Sequence, residues 1–274
     1  MSHYHRIVSL SPSNTEILFA LGLDEEVVGV TSFCDYPSQA RTRARVKGFS
    51  TPDPERILAL RPDLVLATYV APIAVVETLR GRGVEVVPVP DPTTVEGVIE
   101  NLTAVGQWVG RPFEANQITA ALRADLERIV SRVGTIPLRR RPRVLLALGG
   151  IGDPFMTAGP GSFLDDLIRL SGGMNAAEGI GMAWAERPLG DLAAFGPEAI
   201  VSDYRGRSDP ERLRRKAMDL LTQDDRMRGV PAVRSGRIYY LPAELLKRPG
   251  PRLVVGLERL ARCIHPDAFE NKTR

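Results

Sequence analysis

The chain has 274 residues, of which 43% are hydrophobic and 25% charged, with a formal net charge of +3. That length supports one large or two ordinary domains with real cores. No apolar run approaches the ~18 residues of a membrane span, and the basic runs at 139–141 and 205–216 lack the interleaved aromatics of a nucleic-acid-binding face.

Residues 7–10 predict a first strand. Ser13 with Glu16 three residues on fits a capping box for a helix over 15–21, stopped by Gly22. Residues 27–31 predict a second strand, followed by a loop over 32–37, and residues 46–49 read as short and extended. Pro52 and Pro54 sit where a helix start tolerates them, for a helix that reaches Leu60. Residues 64–67 are wholly apolar, as central parallel strands are. A helix over 73–82, a strand over 84–89 and a helix over 95–109 follow. Beyond Pro112, Ile118, Leu122, Leu126, Ile129 and Val133 form one amphipathic stripe, ended by Gly134 and Pro137. A helix of ~22 residues is ~33 Å long, a rod able to brace two lobes.

Residues 143–148 predict a strand ending in Gly149-Gly150-Ile151-Gly152. A phosphate-binding loop needs a helix opening directly from its glycines. Here Asp153 and Pro154 follow, and the next helix waits until Ser162. A nucleotide-dependent α/β enzyme is therefore the rival of another class, carried only by the fold. Trp184 falls in a segment that reads as loop, and strands are expected after Pro197 and over 237–242.

The two halves repeat one grammar. An apolar helical turn, a proline-acid break and a buried strand occur at residues 57–67 and again at 192–202. Arg6 and Arg143 each open the first strand of a half. The expected class is α/β, with an N-terminal lobe over 1–110, a linking helix over 111–137 and a C-terminal lobe over 138–274, rather than one large domain. Two lobes make a cleft, and clefts at domain interfaces bind ligands.

Cys34 and Cys263 stand too far apart in sequence for a disulfide framework or a zinc spacing, and the histidines (His3, His5, His265) lie at the termini. Neither a catalytic site nor a metal site is expected. Residues 17–23 are too short for a secretory leader. The chain is expected outside the cytoplasm if a leader was removed and in the cytoplasm otherwise.

At Leu10-Ser11-Pro12-Ser13-Asn14-Thr15-Glu16, at Asp35-Tyr36-Pro37, over 55–65, at Leu170-Ser171-Gly172-Gly173-Met174-Asn175, at Trp184, over 197–201 and at Arg248-Pro249-Gly250-Pro251-Arg252, the chain resembles the substrate-binding proteins of metal-chelate ABC importers. It is most similar to the members that bind cobalamin, vitamin B12, in the periplasm. The resemblance spans nearly the whole chain. It implies two Rossmann-like lobes joined by one long backbone helix, no enzymatic activity, no intrinsic cofactor, a monomer, an ABC permease as partner and a metal chelate as ligand, cobalamin or another corrinoid. A ferric siderophore or haem is the alternative ligand, with Tyr36 or Tyr69 as an axial group for haem.

The family's ligand-contacting aromatics match Phe33, Phe49 and Trp184, while one falls on Thr68, with Tyr69 beside it. Ligands of open α/β sheets lie beyond the carboxyl ends of the strands, where Phe33, Tyr36, Phe49, Tyr69, Phe155 and Trp184 are expected. Aromatic faces suit a broad, partly apolar disc. Asp35 is expected to accept from amide arms, and Arg248 to meet a phosphate or carboxylate, with Lys247 beside it. For docking to a permease the resemblance implies one exposed acid per lobe. Glu55 fills the first position, while Gly190 stands at the second with Asp191 adjacent.

Overall fold

The computed structural model describes residues 4–270. His3 and the expected end of the C-terminal lobe lie outside the described residues. The chain forms two compact α/β units, residues 1–92 with 96–123, and residues 93–95 with 124–274.

The first unit holds strands β1 (Ile7–Ser9), β2 (Val27–Val30), β3 (Ala44–Arg45), β4 (Leu64–Thr68) and β5 (Glu85–Val89). They form one parallel sheet in the order β3-β2-β1-β4-β5. Helices α1 (Pro12–Ala20), α2 (Pro54–Ala59), α3 (Ile73–Gly81) and α4 (Val95–Trp108) connect or follow the strands. Leu64 to Ala67 are fully buried, because a central parallel strand is covered on both faces.

Helix α5 (Pro112–Gly134) runs from the first unit into the second. Ile118 and Leu122 pack on the first unit's core. In the second unit's share of the helix, Ile129 and Val133 are buried. The amphipathic stripe is thus divided between two cores.

The second unit holds β6 (Arg143–Ala147), β7 (Phe155–Ala158), α6 (Phe163–Leu170), β8 (Met174–Asn175), β9 (Trp184–Arg187), α7 (Asp191–Phe195), β10 (Ala199–Tyr204), α8 (Pro210–Thr222), α9 (Asp225–Arg228), α10 (Pro231–Arg234), β11 (Ile238–Pro242), α11 (Ala243–Leu246), α12 (Leu253–Ile264) and α13 (Pro266–Phe269). Its parallel sheet has the order β11-β10-β6-β8. Read from β8, this matches β2-β1-β4-β5 of the first unit, so the repeat in sequence is a repeat in topology.

The proline-acid break has a physical purpose, the same in both units. Asp63 accepts the backbone N–H groups of His5 at 2.7 Å and Arg6 at 3.0 Å, and Arg6 Nε donates to the Leu60 carbonyl at 2.9 Å. Glu198 likewise accepts the Arg143 N–H at 2.9 Å, and the Arg143 guanidinium donates to the Phe195 carbonyl at 3.2 Å. The carboxylate satisfies strand-start donors, while the arginine satisfies a helix-end acceptor. Between helix and proline the chain turns through a left-handed residue, Arg61 at φ 47° in one unit and Gly196 at φ 54° in the other.

Several local expectations need correction. The cap of α1 is Ser11, whose side chain accepts from Asn14 N–H, with Pro12 opening the helix. Ser13 is not the cap, because proline's fixed φ favours the first helical position. The extended pair beside β2 is Ala44–Arg45, not residues 46–49, since Lys47 turns through φ 70°. Trp184 lies in strand β9, paired antiparallel with β7, a ribbon fixed by a partner far away in sequence.

Because a side chain in the left-handed region costs roughly 1–2 kcal/mol, Gly196→Ala should lower the unfolding free energy by about 1 kcal/mol. Arg61→Ala should cost less, since that position already carries a β-carbon. Urea midpoints at unchanged slope read the difference.

Candidate functional site

In the first unit, two loops beyond the carboxyl ends of β2 and β3 are tied together. Ser32 N–H donates to the Lys47 carbonyl at 2.8 Å. One Arg45 nitrogen donates to the carbonyls of Thr31 at 2.7 Å and Cys34 at 2.8 Å. Cys34 points inward, 3.1 Å from both Thr15 Oγ1 and Thr31 Oγ1, and burial pushes its thiol pKa up. With Cys34 fixed inside, its neighbours stand outside: Phe33 is 45% exposed and Tyr36 46%. Phe33 meets Phe49 edge to face, with centroids 5.6 Å apart and planes at 63°. Lys47 fixes the second loop by an ion pair to Asp53 at 3.0 Å. Asp35 is exposed on the same loop, its carbonyl accepting from Arg41 Nε at 3.1 Å.

Tyr69 follows β4 and is 62% exposed. Asp91 follows β5. Desolvation and the nearby Asp91 carboxylate push the Tyr69 phenol's pKa up, while desolvation raises the Asp91 carboxyl against the lowering effect of Tyr69. The Phe33, Phe49, Tyr36 and Tyr69 loops thus all leave the carboxyl edge of one sheet, the edge where doubly wound sheets take ligands.

In the second unit, the ribbon β7-β9 follows β6 through residues 148–154, with a bridge between Leu148 and Met156. Trp184 is 37% exposed and meets the buried Phe163 edge to face at 6.1 Å. One edge of the indole is therefore seated on the core, which fixes the ring at low entropic cost. Phe155 is not at the surface: it is 2% exposed and packs in the core with Leu145, Ile200 and Leu192. Strand alternation turns it inward and its neighbour Met156 outward. Arg248 is half-buried just beyond α11, which itself follows the carboxyl end of β11. Beside it, Lys247 Nζ lies 2.6 Å from Asp203, a partner that its sequence neighbourhood did not reveal.

Glu55 is exposed in the first turn of α2, which Asp53 caps through the N–H groups of Glu55 and Arg56. Asp191 is not an exposed acid: it is half-buried, and its carboxylate pairs with Arg187, four residues earlier at the end of β9. Among the described residues no group of three or more His, Cys, Asp or Glu could hold a metal ion.

Residues 7–245 match the family model described as periplasmic binding protein. The chain belongs to that family. It is 30% identical to the "uncharacterized ABC transporter substrate-binding lipoprotein YvrC" of Bacillus subtilis, over 97% of this chain and 81% of that protein. It is 29% identical to a cobalamin-binding protein of Halobacterium salinarum, over 96% of this chain and 70% of the relative. Among solved structures, the periplasmic heme-binding protein RhuT from Roseiflexus sp. RS-1, in apo form, superposes with a TM-score of 0.83 at 28% identity, covering 96% of this chain and 99% of RhuT. As a member of that family the chain is a substrate-binding protein, and not an enzyme.

Removing the charge beside Tyr69 should release its proton earlier. In an alkaline titration followed by tyrosinate absorbance, Asp91→Asn should move one tyrosine down toward the ordinary value of about 10. An unchanged titration curve would show that Asp91 does not act on this phenol.

Proposed function

We propose that this binding protein captures a corrinoid outside the cytoplasm and delivers it to an ABC permease. Phe33, Phe49 and Tyr69 of the first lobe and Trp184 of the second supply flat apolar contacts. Asp35, Tyr36 and Arg248 meet the polar arms and the phosphate of the nucleotide loop. The observation that carries the reading is the exposed Phe33–Phe49 pair, held by anchored loops at a sheet's carboxyl edge. An exposed aromatic pair with a fixed geometry is what a rigid disc needs, because little entropy is lost on contact. Binding is reversible burial without chemistry.

Haem is the second reading, favoured by the likeness to heme-binding structures and by an exposed Tyr69 beside a proton acceptor. Cyanocobalamin should bind at micromolar concentration or tighter and quench tryptophan fluorescence. No heat and no quenching at high micromolar ligand, with a Soret shift on adding haemin, would replace the corrinoid by haem.

Two substitutions separate ligand contact from docking. Trp184→Ala should weaken cyanocobalamin binding about tenfold, the scale of one well-packed aromatic contact, and should abolish most of the quenching. Glu55 is proposed as the exposed acid that engages the permease. Glu55→Arg should leave ligand affinity unchanged while lowering uptake in cells that express the cognate permease.

A further inference from the structure

We propose that Asp203 is a specificity-determining residue, which neutralises Lys247 at the strand-end edge of the second lobe and so selects against anionic ligands. The proposal rests on the reading that this edge takes the ligand.

Asp203 lies near the end of β10, and its side chain is 2% exposed. One carboxylate oxygen accepts the Gly149 N–H at 2.6 Å, and the other faces Lys247 Nζ at 2.6 Å. Gly149 follows β6, and Lys247 follows β11 through α11. The cluster therefore joins the carboxyl ends of three parallel strands, where such sheets meet their ligands.

The Gly149 N–H needs an acceptor but not a charge, since an asparagine oxygen would accept it equally. What the negative charge adds acts on Lys247. The lysine side chain is 25% exposed, so a ligand can reach it. An unpaired ammonium at this edge would attract a carboxylate or phosphate. Paired with a buried carboxylate it offers no net charge, and an incoming anion meets Asp203 where little water screens it. At Lys247 the edge therefore disfavours an anionic group of a ligand.

The test compares cyanocobalamin, which has no net charge, with haemin, which carries two carboxylates, in titrations of wild type, Asp203→Asn, Lys247→Gln and the double variant. Asp203→Asn should raise haemin affinity relative to cyanocobalamin by about tenfold, an effect lost at high salt. The double variant should return to the wild-type ratio. An unchanged ratio in Asp203→Asn, or an equal change in the double variant, overturns the proposal. Lys247→Gln, which leaves Asp203 unmasked, should shift the ratio the opposite way, and it decides the matter if Asp203→Asn does not fold. Wild type that fails to bind cyanocobalamin sinks the corrinoid reading alone, because the haemin response to these charges is still read.

Discussion

Each lobe depends on one carboxylate that closes the start of its sheet. Asp63 and Glu198 accept backbone donors at the beginning of β1 and β6, strands that lie inside their sheets. Arg6 and Arg143 meanwhile tie those strands to the ends of α2 and α7. A strand start has donors with no ladder partner, and leaving them unpaired carries a cost comparable to a lost hydrogen bond. Meeting that need with the residue just after a helix-stopping proline fixes helix, turn and two strands at once. The opposite edge of each sheet is then free to carry loops of differing sequence, which is how one scaffold serves many ligands.

The loops beyond β2 and β3 of the first lobe show how that freedom is restrained. A buried thiol, two threonine hydroxyls and one arginine hold the backbone of residues 31–34. None of these groups is a candidate ligand contact. Their effect is to present Phe33 outward and to hold its loop against the one that carries Phe49. A site built this way loses little entropy on binding, because the ordering occurs when the protein folds.

Several charges near the strand ends of each unit are paired. Lys47 meets Asp53, Lys247 meets Asp203 and Asp191 meets Arg187, while the phenol of Tyr69 leans on Asp91. Such pairing tempers the attraction a basic chain would otherwise hold for any anion.

The sequence by itself determined the parallel strands other than β3 and β8, the long helix and the internal repeat. Apolar runs bounded by proline and glycine encode buried strands locally, and the spacing of Ile118, Leu122, Ile129 and Val133 encodes a helix face. The placing of Phe33 and Phe49 in loops beyond β2 and β3 was also legible, from turn chemistry around the strands. Only the tertiary structure decided that Phe155 is core and that Trp184 stands on a strand, because the β7-β9 ribbon exists only once segments far apart in sequence pair. It alone showed that Asp203 meets Lys247, Asp91 meets Tyr69 and Arg45 spans its loop. Those contacts join the ends of different strands, and no local pattern records which side chain will lie opposite another when a sheet is assembled.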